Sequence, residues 1–428
     1  MKTRIGLIGP EDSLTRIVRA ASRFADRVEL VPRVYADKQE SIQLARELDG
    51  LVDVILFSGI IPYRIVHNAN AIETPCLYIP RVGTSVIRPL WEMRDKGECF
   101  DRLSIDSIFR EDVEEAVEEF GFSFKALEVL PYEEDTSYEA LAGMHAALYR
   151  EGRTDVAMTG LTKTHSILTG MGVPCHKIYP DTYIIREYLQ KAIYISEAAK
   201  LKSYQIAIII FRLRSGSASI ATEYDFLRIK NSFESMLIDY AKGIYSSMFP
   251  SGHDEYILYT TRGTLDEDQG LRNLLKSAGN SRIEFSGGLG FGVTAFNAEA
   301  NARKALDRSC STPESSMFSV DVDGTITGPL ASPGQTLEYK LSDTSEEVRN
   351  TARETGLSTS YLTKIRSLIR VTKKTRFDVE ELAAGLGISV RSARRILQGI
   401  ADAGKAEVVA LESKSRTGRP RRLYDLKI

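Results

Sequence analysis

Three short strings occur twice within the first 180 residues, in the same order and at an offset of about a hundred positions. Asp53-Val54-Ile55-Leu56-Phe57-Ser58-Gly59 is matched by Asp155-Val156-Ala157-Met158-Thr159-Gly160. Glu29-Leu30-Val31-Pro32 is echoed by Glu128-Val129-Leu130-Pro131, and Pro75-Cys76 with Tyr78 and Pro80 by Pro174-Cys175 with Tyr179 and Pro180. Ordered self-similarity of this kind marks a duplicated structural unit. Inside the first copy, short apolar runs at 5–8, 28–31, 53–57 and 76–79 are separated by amphipathic stretches at 12–24 and 39–48. Strand-helix-strand order gives a parallel sheet covered on both faces. The first third of the chain is therefore expected to form two similar α/β lobes.

Parallel sheets bind ligands at the loops that follow their strands. The loops to watch are Gly9 to Ser13, Ser58 to Arg64 and Thr159 to Thr164. Ser58-Gly59 and Thr159-Gly160 each pair a hydroxyl with a glycine whose backbone N–H can face a carboxylate or phosphate. Tyr63, Arg64 and Lys163 stand beside them, the two cations supplying countercharge. The candidate ligand residues are thus Ser58, Gly59, Tyr63, Arg64, Thr159, Gly160 and Lys163. The stretch from Asp53 to Pro80 resembles the N-terminal sensory domain of propionate-catabolism activators. That resemblance covers residues 1–185 and implies a fold of the periplasmic-binding-protein kind with an effector between its lobes.

A third module begins near residue 196. A strand is expected at 205–213, a long amphipathic helix at 224–245, and a turn at Gly252-His253-Asp254-Glu255-Tyr256 leading into another strand. A glycine-rich run, Ser286 to Gly292, precedes a helix at 296–307. The order βααββαβ resembles the palm of diguanylate cyclases, with the turn where those enzymes carry Gly-Gly-Asp-Glu-Phe. Two departures count against catalysis. His253 replaces the second glycine, and the first strand ends in Phe211-Arg212-Leu213-Arg214, which puts cations where a metal ligand is required. The reading is a degenerate palm serving in dimerisation, over residues 196–330, with Gly288, Gly290 and Gly292 allowing close backbone packing.

After a linker at 331–345, residues 346–428 carry 18 Lys and Arg against 10 Asp and Glu, whereas the rest of the chain carries 38 against 48. A basic module on an acidic body is the footprint of nucleic-acid binding. Asp378 and Glu381 form a capping box, Gly387 ends the first helix and Ser389 caps a second. In the second helix Val390, Ala393, Leu397 and Ile400 are expected to face inward, and Arg391, Arg394, Arg395 and Gln398 outward. Two strands then flank a basic loop, Glu412 to Arg421, with a Gly418-Arg419-Pro420 tip suited to a minor groove. The pattern is a winged helix-turn-helix whose DNA contacts are Ser389, Arg391, Ser392, Arg394, Arg395, Gln398, Lys414, Arg416, Arg419, Arg421 and Arg422. The same spacing occurs 31 residues earlier around Gly356-Leu357-Ser358, with Ser360, Thr363 and Lys364 at the exposed positions of a supporting helix pair.

Cys76, Cys99, Cys175 and Cys310 are scattered, as reduced cytosolic thiols are. The apolar runs are too short for a signal peptide or a membrane span. The expectation is an α/β multidomain, cytoplasmic, ligand-responsive transcriptional regulator. It would act as a homodimer on a double-stranded DNA operator, with a small carboxylate or phosphate effector and no cofactor, metal or membrane partner. The alternative is a cyclase-like nucleotide-processing enzyme anchored by its basic end.

Overall fold

The computed structural model describes residues 2–214, 222–266, 268, 270–281, 283–312, 315–330, 336–340, 346–412 and 421–428. Lys414, Arg416 and Arg419 lie outside the described residues, as does the side chain of Arg421. The chain forms two compact units, Met1–Lys200 and Leu201–Ile428.

In the first unit the repeat becomes two parallel sheets. One contains β1 (Thr3–Gly9), β2 (Val28–Val34), β3 (Val54–Phe57) and β4 (Cys76–Tyr78), joined through α1 (Glu11–Ala21), α2 (Ser41–Leu48) and α3 (Ile60–Asn68). After α4 (Thr84–Lys96), the other contains β5 (Arg102–Ile105), β6 (Ala126–Val129), β7 (Val156–Thr159) and β8 (Cys175–Lys177). Its helices are α5 (Arg110–Glu119), α6 (Tyr138–Arg150) and α7 (Thr162–Gly170), and α8 (Thr182–Ser203) closes the unit. The strand orders are β2-β1-β3-β4 and β6-β5-β7-β8, the same sequence of neighbours twice.

The lobes exchange their last helices. Val86, Leu90 and Met93 of α4, which follows the first sheet, pack with Leu103, Ile105 and Val113 of the second. Ile185, Leu189 and Ile193 of α8, which follows the second sheet, pack with Ile5, Leu7 and Leu14 of the first. Each such buried aliphatic side chain contributes about 1.5–3 kcal/mol. The chain therefore crosses between lobes twice, near Pro80 and near Pro180, and the crossings are tied where the Thr84 hydroxyl donates to Asp181 at 2.5 Å. Residue 185, the expected end of the sensor, falls inside α8.

The second unit is built on β9 (Ile206–Leu213), which is flanked by β11 (Glu255–Thr261) and β12 (Phe285–Gly292), both antiparallel to it. The sheet continues through β10 (Ser247–Ser251) on one side and through β13 (Ser316–Val320), β14 (Thr325–Gly328) and β15 (Leu337–Lys340) on the other. Part of the expected linker is thus an edge strand. A single described helix, α9 (Glu223–Gly243), precedes the β10–β11 hairpin. The short α10 (Arg262–Asp266) and α11 (Gly270–Asn280) follow it, so the described order differs from βααββαβ. Residues of α9 and α11 pack on one face of the sheet and α12 (Ala295–Cys310) covers the other. The glycines of β12 explain how α12 lies so close. A Cβ on Gly288 would sit 2.8 Å from the Leu306 Cα, and one on Gly290 would sit 2.7 Å from the Asn301 carbonyl carbon.

The basic end of the chain forms α13 (Glu346–Thr355), α14 (Thr359–Thr372), β16 (Arg376–Phe377), α15 (Val379–Leu386), α16 (Val390–Asp402), β17 (Ala406–Glu412) and β18 (Arg421–Leu426). Asp378 makes its capping box with Glu381, Gly387 takes φ 64° at the end of α15, and Ser389 caps α16. β16, β18 and β17 make a small antiparallel sheet.

Two side-chain expectations change here. Val390, in the first turn of α16, is 46% exposed, and the inward stripe runs through Ala393, Ile396, Leu397 and Ile400. The other correction concerns α14, which packs on β15. The Thr363 hydroxyl donates to the Lys340 carbonyl at 2.9 Å, and Lys364 is only 6% exposed, its ammonium 4.5 Å from the Tyr339 ring centre. Lys364 is buried and Thr363 half-buried because the sheet edge occupies the space that solvent would fill. Burial pushes the Lys364 ammonium down to about 8, with Arg308 adding repulsion.

Candidate functional site

The loops after β1, β3 and β7 meet at one cavity of about 60 Å³, where Pro10, Ser58, Gly59, Gly160 and Leu161 come together. These residues are where three helices start. Pro10, Gly59 and Leu161 are the N-caps of α1, α3 and α7, and none makes a side-chain capping bond. Helix starts leave backbone N–H groups without intrahelical partners and carry partial positive charge, so their convergence favours an anion.

Arg81 stands in the midst of them. It belongs to the first crossing between lobes, and its Nη2 donates to the Gly160 carbonyl at 2.7 Å. Its Nε is buried and has no hydrogen-bond partner among the described residues. A buried donor left unmatched costs about 1–3 kcal/mol. Burial holds the guanidinium below its usual pKa, while the nearby Asp106, Tyr35, Tyr132 and Asp12 favour its charged form. The paired glycines make room for it. A Cβ on Gly160 would lie 2.7 Å from the Arg81 Cζ, and one on Gly59 would lie 3.2 Å from Nη1.

Phenols complete the wall. Tyr35, Tyr132 and Tyr138 line the cavity, and burial raises the pKa of all three, keeping them neutral hydrogen-bond donors at ordinary pH. Lys38 reaches from the first lobe to the second, its Nζ donating to the Thr136 carbonyl at 2.6 Å and lying 4.8 Å from the Tyr132 ring centre. Asp12 joins the lobes on another side, bonded to Lys177, to Thr162 at 3.1 Å and to Tyr179 at 3.1 Å.

Asp106 fixes the Gly160 loop. The carboxylate is fully buried and accepts from the Ser107 hydroxyl at 2.6 Å and from the Gly160 N–H at 3.1 Å. His145 Nε2 is 3.1 Å from its other oxygen, and His145 Nδ1 is 2.8 Å from the Ser104 hydroxyl. Serine, histidine and aspartate in contact are the parts of a nucleophilic triad, but Ser104, Asp106 and His145 are each 0% exposed. Their arrangement holds a loop in place.

Of the seven residues expected at the ligand, Ser58, Gly59, Gly160 and Lys163 line the cavity. Lys163 also faces Asp37 at 3.5 Å. Arg64 lines a neighbouring cavity of about 310 Å³, which shares Ile60, Ile61, Arg81, Ser107 and Tyr132 with the first. Tyr63 packs against Tyr78, with ring centres 5.0 Å apart, and lines neither cavity. Thr159 is fully buried and its hydroxyl accepts from the Leu161 N–H at 3.1 Å, so it shapes the turn. The Gly160 N–H is already committed to Asp106, contrary to its expected role as a free donor. Sequence reasoning passed over Arg81, Tyr35, Tyr132 and Tyr138. One available signal was the break in the repeat, where Pro80 is followed by Arg81 but Pro180 by Asp181.

In the second unit, the acidic turn is occupied by arginines. Arg212 Nη2 holds one oxygen of Glu255 at 2.9 Å and Arg303 Nη1 the other at 3.2 Å. Among the described residues no cluster of three His, Cys, Asp or Glu side chains is placed to hold a metal ion. Arg391, Arg394, Arg395 and Gln398 lie exposed on α16 opposite its buried stripe, and Ser389 and Ser392 bond to each other at 2.9 Å where the helix begins. Arg422 is exposed on β18. No described helix is long and apolar enough to cross a membrane.

No protein-family model matches the chain, and no curated protein matches it. Among solved structures it is similar to an NtrC family transcriptional regulator from Clostridium acetobutylicum, with 13% identity over 46% of this chain and 99% of that one, at a TM-score of 0.35. It is also similar to a LacI family transcriptional regulator from Arthrobacter sp. FB24 in complex with lactose, with 13% identity, 46% and 91% covered and a TM-score of 0.29. A third is an ABC transporter solute binding protein from Clostridium phytofermentas with bound L-rhamnose, with 10% identity, 46% and 83% covered and a TM-score of 0.29. At these TM-scores the likenesses are faint and assign no activity.

Proposed function

We propose that the chain is a ligand-responsive, DNA-binding transcriptional regulator. On this reading a two-lobed sensor of the periplasmic-binding-protein kind binds a small anionic effector. The middle is a non-catalytic, GGDEF-like palm that dimerises, and the basic end is a winged helix-turn-helix. The observation that carries the sensor is Arg81, a cation on the lobe crossing with an unmatched buried donor, facing three uncapped helix starts. An anion there competes with the Gly160 carbonyl for the guanidinium and so changes what joins the lobes. Such a ligand shifts the balance between their arrangements. In a dimer, that balance would set the spacing of two reading helices on an operator.

The basic exposed face of α16 supports DNA binding, and the capture of Glu255 by Arg212 and Arg303 supports a palm without metal chemistry. The test is selection of sequences by the full chain from random double-stranded DNA, repeated with Arg391, Arg394 and Arg395 all changed to alanine. Enrichment lost in the variant is the expected result. Equal enrichment by both proteins sinks the reading of α16, and turnover of GTP or ATP with magnesium would restore the enzyme alternative.

A further inference from the structure

The proposed effector site also indicates what kind of anion fits, and this step rests on the sensor reading. The smaller cavity has two cationic side chains among its lining residues, Arg81 and Lys163, and Lys163 already faces Asp37. Arg81 keeps one donor, Nε, without a partner among the described residues, and one such cation matches one negative charge. A planar carboxylate can take the Arg81 edge through paired N–H donors, whereas a compact polyanion held within the smaller cavity would bring charge that no second unpaired cation of that cavity balances.

The neighbouring cavity has a different character. Most of its wall is apolar, including Ile60, Ile61, Ile108, Phe109, Val129 and Leu130; Arg64 and Arg110 also line it, Arg110 paired with Glu114 at 3.1 Å, and it shares Arg81 with the smaller one. At about 310 Å³ it has the volume of a small organic ligand site. Phe109 is 64% exposed, while Ile61 and Ile108 beside the same space are buried. An aromatic side chain standing in solvent at the rim of an apolar recess gains contact area if an apolar group fills it.

We propose that the effector is a monocarboxylic acid with an apolar body, its carboxylate at Arg81 between Gly59 and Gly160 and its body in the recess under Phe109. A compact polycarboxylate such as citrate, or inorganic phosphate, fits the charge and the walls less well.

The experiment is thermal unfolding of the full chain against rising concentrations of phenylacetate, hexanoate, citrate, inorganic phosphate and, as a neutral control, 2-phenylethanol. A ligand of the native state raises the transition with the logarithm of its concentration. Phenylacetate or hexanoate should do so, and the other three should not. Arg81→Gln should weaken the effective acid about tenfold to a hundredfold, the range for losing a charged hydrogen bond. Phe109→Ala, at an exposed position that the fold does not depend on, should weaken it severalfold without altering the unliganded transition. Stronger binding of citrate or phosphate, lost in Arg81→Gln, overturns the monocarboxylate class and leaves the sensor reading standing. If none of the four anions shifts the transition, or if Arg81→Gln folds and binds them unchanged, both fall.

Discussion

Arg81 leaves the first lobe on a crossing segment, yet its Nη2 bonds to the Gly160 carbonyl of the second lobe at 2.7 Å. The glycine is what permits the contact, since a methyl group there would overlap the guanidinium. Gly160→Ala should therefore displace Arg81 and weaken anion binding by about tenfold or more. Gly59→Ala, whose Cβ would meet only the flexible Nη1 at 3.2 Å, should cost less. Titration calorimetry on both variants checks the order, and a larger loss at Gly59 would mean that Arg81 does not anchor the ligand.

The direct packing of α12 on β12 gives a stability prediction. Gly288→Ala and Gly290→Ala each force a methyl into helix backbone and should destabilise the second unit by about 1–3 kcal/mol. Gly279→Ala in α11 meets nothing within 4 Å and should be neutral or stabilising by about 0.5–1 kcal/mol. Urea unfolding of the three variants separates them.

Lys364 makes stability depend on pH. In the folded chain its ammonium loses its proton near 8, against 10.5 for an ordinary lysine. Between those values the unfolded chain holds more protons, so this group's contribution to stability rises with pH across the window. Its penalty is complete below pH 8. Lys364→Met should raise stability at pH 7 by at most about 3 kcal/mol and remove that rise. Denaturant curves at pH 7, 9 and 10 for both proteins test the sign. A variant that loses stability at pH 7 would show that the buried charge is matched by something favourable.

For DNA, α16 and β18 should behave differently. Arg394→Ala should relax preference at one base position by about 1–3 kcal/mol. Arg422→Ala should weaken all sequences alike and lower the salt slope by about one unit. Binding titrations from low to moderate salt on selected and scrambled duplexes distinguish them. Identical profiles would place both arginines on the phosphate backbone.

The repeat made the first unit readable, because strand-end strings such as Asp53–Gly59 and Asp155–Gly160 carry both the sheet pattern and the loops that reach the site. Capping was equally legible, since Asp378, Glu381 and Ser389 act on neighbours in the chain. What escaped depends on contacts between distant segments. Arg81 belongs to no sequence motif, and only the crossing places it between Gly59 and Gly160. Lys364 looked exposed because a helical pattern shows which positions share a face but not that β15 covers that face. Thr159 has the right residue type for a ligand donor, but its hydroxyl turns back to the Leu161 N–H.

The swap of α4 and α8 bears on how this protein can be cut. A clone ending near residue 100 would carry α4 without Leu103 and Ile105, the strand residues it packs against, and would leave Ile5 and Leu7 without α8. Neither half encodes its own complete core, so the halves should be insoluble when expressed apart and recoverable only when produced together. A sensor graft onto another DNA-binding module should carry the first lobe, the second lobe and the returning helix as one indivisible cassette.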